Sequence, residues 1–287
     1  MTLILNVLTP DYAVQVSDRR LTYTGTGDHT DVTPKTTIFH RAILFGYTGM
    51  GLLGNPPEAT HRAITAKLTQ SLARGGSGED RLRWLATQFK AGVGAVPIPP
   101  SLQSHAAAIR RLAIAGVGFA SRGADQPLRP VYMMLSNFWT KEGGWLAEAR
   151  DEFAIVVESL PSTASYWLRS AGAELTRDER RFLERALNKA VNRGRGAQAI
   201  ARLLVEQVRA VAERNTTVGK SLLVSSIARS AVPVDVSIKL TAPDFTQPTF
   251  LYIPEDSDDG VLYGPNVADP GMSFCDVWVS DHDINER

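Results

Sequence analysis

Two apolar runs joined by a proline turn open this chain, and that pattern dictates a tight antiparallel hairpin. Residues 3–8 (LILNVL) read as a buried strand, and residues 12–17 alternate large apolar with small or polar side chains. Between them stand Thr9, Pro10 and Asp11. Proline presets the turn dihedral, and aspartate can bond its own backbone. Paired positions in such a hairpin sum to about 20 or 21. Thr2 is therefore expected beside Asp18 and Arg19, where a carboxylate closes the facing strand.

Position 2 carries a second meaning. Threonine is small enough for the initiator methionine in front of it to be trimmed, which exposes a free α-amine. An amine beside a threonine hydroxyl is one way to activate a weak nucleophile. Thr2 is thus the first candidate catalytic residue, although a threonine after Met1 is common in ordinary proteins.

Composition narrows the class by exclusion. A chain of 287 residues that is 44% hydrophobic can bury a large core, as one domain or one domain with an appendage. No apolar run approaches the roughly 18 residues that mark a membrane span. The N-terminus has no cationic lead and is broken at Pro10-Asp11, so it does not read as a signal peptide. Cys275 is the single cysteine, which excludes an internal disulfide framework and a cysteine-based metal cluster. His29, His40, His61, His105 and His282 show no ligand spacing. A cytoplasmic protein without metal or cofactor is expected.

The net charge of +1 is unevenly spread. Residues 231–287 carry 11 acidic and 2 basic side chains, a net of −9, and the remainder carries 29 basic and 19 acidic, a net of +10. An acidic C-terminal segment lying against a basic body, in the same subunit or a neighbour, is expected. A nucleic-acid partner is not, because the basic residues are scattered through helices without interleaved aromatics.

Beyond the hairpin, residues 21–34 are rich in Thr, Gly and Asp and read as a loop. Lys35 opens a second strand pair, TTIF and AILFGYTG, turning near His40-Arg41. A helix is expected to start at Asn55-Pro56-Pro57-Glu58, since proline is tolerated in a first turn. Windows 58–73 and 79–91 are amphipathic, residues 92–100 read as a break, and 101–111 as a short helix. Strands RLAIAGVGFA, RPVYMMLSNF and EFAIVVESL follow, then a short strand closing into a turn at Ser170-Ala171-Gly172. Thr176 and Glu179 make a capping box, which sets a helix start. That helix breaks at Asn192-Arg193-Gly194, and another spans about 197–213. Strand candidates SLLVSSIA, VDVSIKL, TFLYI and CDVWV close the chain. This order lacks the βαβ alternation of a doubly wound fold. It predicts an α+β protein with two antiparallel sheets and helix pairs outside. Residues 1–230 form the main domain in this reading, and 231–287 an acidic extension packed on it or on a neighbouring subunit.

Four features stand in order: Thr2, then Ser17-Asp18-Arg19-Arg20, then Lys35, then Gly46-Tyr47-Thr48-Gly49. Together they resemble the proteasome-type branch of the N-terminal-nucleophile (Ntn) hydrolases, in particular proteasome β-subunits and related bacterial ring peptidases. In that family a leading Thr precedes a strand ending in small-Asp-x-Arg, a lysine opening the next strand, and a Gly-aromatic-small-Gly turn. The resemblance covers roughly residues 2–230. Arg214-Asn215-Thr216-Thr217-Val218-Gly219 stands where the family has Arg-Asp and a Ser-Gly turn, with Asn215 for the aspartate and Val218 for the serine. Ser170 falls in the place of its active-site serine loop. The chain lacks the helical N-terminal extension of proteasome α-subunits, so the resemblance is to the β type.

What the resemblance implies is a four-layer αββα sandwich and a threonine-type hydrolase that cleaves peptide or amide bonds within a homo-oligomer. It implies no cofactor and names no ATPase partner. Thr2 Oγ would attack the carbonyl and its own α-amine take the proton. Lys35 would lower the amine's pKa, Asp18 would hold Lys35, and the Gly49 N–H would receive the oxyanion. Asn215 would orient the amine through its carbonyl oxygen, and Ser170 would join the catalytic set from its loop. The alternative is an inactive relative serving as an assembly or binding module. Two other motifs fail on context. Gly49-x-Gly51-x-x-Gly54 matches a dinucleotide fingerprint but runs into Asn-Pro-Pro instead of a helix. Gly219-Lys220-Ser221 ends like a phosphate loop, yet Arg214 occupies the position of the required glycine.

Overall fold

The structure, a computed structural model, describes residues 2–22, 28–31, 33–74, 76–121, 126–141, 144–232, 249–253, 261–263, 265–269, 272–275 and 278–280. Met1, His282 and the expected strand VDVSIKL lie outside the described residues. The protein is α+β.

β1 (Leu3–Leu8) and β2 (Tyr12–Asp18) form the expected hairpin. Ile4 faces Ser17 and Leu8 faces Ala13, so paired numbers sum to 21. Thr9, not Asp11, supplies the side chain that closes the turn. Its hydroxyl donates to the Tyr12 carbonyl at 2.9 Å and accepts from the Tyr12 amide at 2.9 Å. β3 (Thr36–Phe39) and β4 (Ile43–Gly49) make the next pair, turning through His40 and Arg41 at φ 48° and 51°.

α1 (Thr60–Leu72) starts later than its proline signal suggests, because Glu58–Ala59 pairs with Leu52–Leu53 as a short strand. α2 (Gly78–Ala95) runs on through Gly92 and Gly94, where a break was expected. Leu82, Leu85, Phe89 and Val93 are buried along it, and packing of that stripe outweighs the roughly 1 kcal/mol helix penalty of each glycine.

Then come β5 (Leu112–Ala120), β6 (Arg129–Ser136), β7 (Ala154–Ser159) and β8 (Trp167–Gly172). α3 (Arg177–Asn192) begins at the Thr176–Glu179 capping box as expected, and α4 (Ala197–Arg214) follows. β9 (Leu222–Ala228), β10 (Thr249–Ile253), β11 (Asn266–Asp269) and β12 (Met272–Phe274) complete the two main sheets.

One sheet has the order β8-β1-β2-β9-β10 and the other β7-β6-β5-β4-β3-β11-β12. The expectation of purely antiparallel sheets needs one correction. β11 lies parallel to β3, with Asn266 opposite Thr37. Parallel neighbours require a long connection, and more than 200 residues separate these two strands, so no local pattern announces the pairing.

The alternation of side chains along β1 sorts the core. Leu3, Leu5 and Val7 join Leu183, Leu187, Leu204 and Val208 from α3 and α4. Ile4 and Leu8 join Leu44, Phe45, Leu68 and Phe89 in a second cluster that reaches α1 and α2. Each fully buried leucine contributes about 1.5–3 kcal/mol. A one-residue slip would exchange the two faces, which pins the register.

The contact between the sheets also has a polar seam. Gln15 Nε2 donates to Asn6 Oδ1 at 2.8 Å, and Thr36 Oγ1 donates to Gln15 Oε1 at 3.1 Å. Ser17 Oγ and Thr36 Oγ1 are hydrogen-bonded at 3.2 Å. Ser17 precedes Asp18, and Thr36 follows Lys35, so this seam fastens the two sheets one residue away from both. Among the described residues no helix is long and apolar enough to cross a membrane.

Candidate active site

Thr2 lies in the backbone ladder at the mouth of the hairpin. Its carbonyl accepts from the Ala173 amide at 2.8 Å and from the Thr48 hydroxyl at 3.5 Å. Its side chain is buried and its Oγ1 lies 2.5 Å from Lys35 Nζ. Lys35, just ahead of β3 in the other sheet, also donates to the Arg20 carbonyl and stands 3.4 Å from Asp18 Oδ2.

Asp18 has no exposed surface. Three backbone N–H groups converge on its carboxylate: Leu3 at 2.8 Å, Arg20 at 3.0 Å and Gly219 at 3.1 Å. A buried carboxylate persists when its lone pairs are satisfied in this way. Lys35 is only 1% exposed, and burial pushes its ammonium below the ordinary lysine value, against the opposing pull of Asp18. The expected Asp18–Lys35 partnership is present, but the net direction for Lys35 is downward.

Gly49 ends β4 one residue after Thr48, whose hydroxyl reaches the Thr2 carbonyl, and it pairs with Leu112 of β5. Its φ is +109°, and a Cβ there would come within 2.0 Å of the Arg111 carbonyl oxygen. Only glycine fits, whatever its N–H does in chemistry.

The other two candidates sit elsewhere. Ser170 pairs with Leu5, three residues along β1 from Thr2, and its hydroxyl accepts from Arg180 at 3.1 Å. Three strand residues span about 10 Å, so Ser170 is not brought to Thr2. Asn215 follows α4, and its Oδ1 accepts from the Thr217 amide at 3.1 Å and hydroxyl at 2.7 Å. That bonding shapes the turn that presents the Gly219 N–H to Asp18, so Asn215 acts on the cluster only through the backbone. Val218 is fully buried in the apolar cluster beneath α3 and α4.

Sequence reasoning missed Gly172. Its φ is +89°, and a Cβ would fall 1.9 Å from the Thr2 carbonyl oxygen and 2.8 Å from Thr48 Oγ1. The Ser170-Ala171-Gly172 turn signal located this glycine without its role. Gly172→Ala is expected to cost about 1–3 kcal/mol for backbone conformation alone, and more once Thr2 is displaced. Urea unfolding midpoints of the two proteins measure it. The Arg20 carbonyl, a backbone atom, left no signal at all. Among the described residues no group of three His, Cys, Asp or Glu side chains stands ready for a metal ion.

No family model matches this chain, and no curated protein does. Solved structures similar to it include the Gly-1 mutant of Anbu from Hyphomicrobium sp. strain MC1, which is 10% identical with a TM-score of 0.49 over 90% of each chain. At that level of superposition no residue role passes from one protein to the other.

Proposed function

We propose that this protein is a proteasome-like Ntn hydrolase, a four-layer αββα sandwich in which Thr2 cleaves peptide or amide bonds once Met1 is removed. One observation carries the reading: the Thr2 hydroxyl lies 2.5 Å from a buried lysine that shares its site with a buried carboxylate. Burying a charge pair is costly and an apolar pair would often serve stability as well, so a chain that buries one against a threonine hydroxyl favours chemistry over an assembly role.

Thr2 Oγ attacks the substrate carbonyl, and its proton passes to the new α-amine, whose ordinary pKa is about 7.7–8.0. Lys35, while charged, lowers the amine further. Its own depressed pKa also makes the neutral form a second acceptor for the proton. The Gly49 N–H receives the oxyanion. The amine then protonates the leaving group, and water hydrolyses the acyl-threonine. Asp18 sets the position of Lys35 and of the Leu3 amide beside the nucleophile. Residues 231–287 are an extension of the 1–230 domain in this reading, and the active form is a cytoplasmic homo-oligomer.

Intact-mass measurement on the natively expressed protein tests the first requirement. The expected mass is that of the chain less one methionine, and a protein retaining Met1 throughout would sink the Thr2 mechanism.

A further inference from the structure

We infer that β11, a strand of the C-terminal extension, positions Lys35 for catalysis, the Asn266 carboxamide holding the Pro34 carbonyl one residue ahead of it. Asn266 opens β11 and has no exposed surface. Asparagine is disfavoured both in strands and in interiors, so its burial needs a partner. Its Nδ2 donates to the Pro34 carbonyl at 3.3 Å, across 232 residues of chain. Pro34 is itself buried, and a buried carbonyl needs a donor. The next carbonyl, that of Lys35, accepts from the Tyr47 amide of β4 at 3.3 Å. The two carbonyls that flank the Lys35 Cα are therefore held from opposite sides of β3, one by β11 and one by β4.

The rest of β11 extends the grip. Asn266, Val267 and Ala268 stand opposite Thr37, Ile38 and Phe39. At the far end of β3 the His40 amide donates to the Ala268 carbonyl at 2.8 Å, and Asp269 stands 3.6 Å from Arg41 Nε. α1 packs against β3 and β11 alike. The leverage on the site comes from the length of the lysine. Lys35 carries its ammonium on a long flexible stem, so a small rotation of its backbone moves Nζ much further than Cα. That ammonium has to meet Thr2 Oγ1, Asp18 and the Arg20 carbonyl at once. A misplacement of about 1 Å at such a group costs roughly 10²-fold in rate. Asn266 is thus a positioning residue, and the strand that carries it belongs to the working site.

For the reaction this inference rests on the Thr2 reading; for the placement of Lys35 it does not. NMR of the full chain, isotope-labelled at lysine Cε, follows the Lys35 titration, its signal identified by its absence from Lys35→Met. Asp18 and Asp31 favour the charged lysine and Arg20 opposes it, but burial is the largest influence. Asn266→Leu keeps the side-chain size without the donor, and Asn266→Ala leaves room for water on the Pro34 carbonyl. Both release the lysine toward solvent, so its titration is expected to move up toward the ordinary value. Turnover, kcat, is expected to fall by about tenfold to 10²-fold with KM little changed. Val267→Ala, on the same strand but away from Pro34, is expected to lower the urea midpoint and leave both readings at wild type. Asn266 variants in which Lys35 titrates as in wild type, a Val267→Ala protein that shifts it equally, or an Asn266→Ala protein that does not fold would overturn the inference. A wild-type protein without hydrolytic activity would count against the Thr2 reading alone, and the Lys35 titration would still decide this one.

Discussion

Thr2→Ala is expected to reduce peptide or amide hydrolysis by roughly 10⁴-fold or more, the scale of loss when a hydrolase is deprived of its nucleophile. The fold should survive the change. The groups that hold position 2 act on its backbone: the Ala173 amide and Thr48 hydroxyl both donate to the residue 2 carbonyl, and Asp18 bonds the Leu3 amide. Alanine is also small enough for Met1 to be trimmed, so the variant lacks only the hydroxyl and the methyl that threonine carries on its β-carbon. The measurement is turnover of a peptide panel together with the urea midpoint. A Thr2→Ala protein that hydrolyses at the wild-type rate would refute the mechanism, and the urea midpoint separates the expected loss of turnover from misfolding.

Lys35→Met should have the second largest effect, in two registers. Hydrolysis should fall by about 10²–10⁴-fold, the usual contribution of a positioned proton-transfer group. Stability should fall by up to about 3–5 kcal/mol, because the Asp18 carboxylate loses its buried cation. The three backbone N–H groups that remain on Asp18 hold the loss toward the lower figure.

The pH dependence separates the two proteins further. Lys35 is depressed in the folded state, so between that lowered value and the ordinary 10.5 the unfolded chain binds more protons. Wild-type stability should therefore rise with pH across that window and be lost as pH falls through the folded value. Lys35→Met should lack this slope. Tyr47 and Tyr132, both raised by burial, bend the two curves downward alike above about pH 10. Urea midpoints from neutral pH upward for both proteins provide the comparison. Equal slopes would mean that Lys35 titrates in the folded state as it does in the unfolded chain.

Much of the local structure was legible because its causes lie within a few residues of one another. The hairpin register follows from alternation and a short turn, and it alone brings Asp18 to the Leu3 amide. The Thr176–Glu179 box announces α3 in the same way. Where local signals misled, a tertiary contact had outweighed them. Pro56 and Pro57 signal a helix start, but the pairing of Glu58–Ala59 delays α1. Gly92 and Gly94 signal a break, but the buried stripe of α2 continues to Val93.

The candidate site divides along the same line. Sequence alone determined that Thr2 stands at the mouth of a hairpin beside a carboxylate, since both lie in one tight turn unit. Only the tertiary structure brought Lys35 to the Thr2 hydroxyl, because that contact joins two sheets clamped through Ser17 and Thr36. The same long-range pairing of β1 with β8 excluded Ser170 and admitted Gly172, two residues apart on one strand. The turn after α4 likewise makes Asn215 the residue that shapes the approach of the Gly219 N–H to Asp18, where a direct partner was expected. Hydrogen bonds between near neighbours are encoded where they form. Contacts between distant strands depend on register and on which face each residue occupies, and those are decided when the two sheets pack.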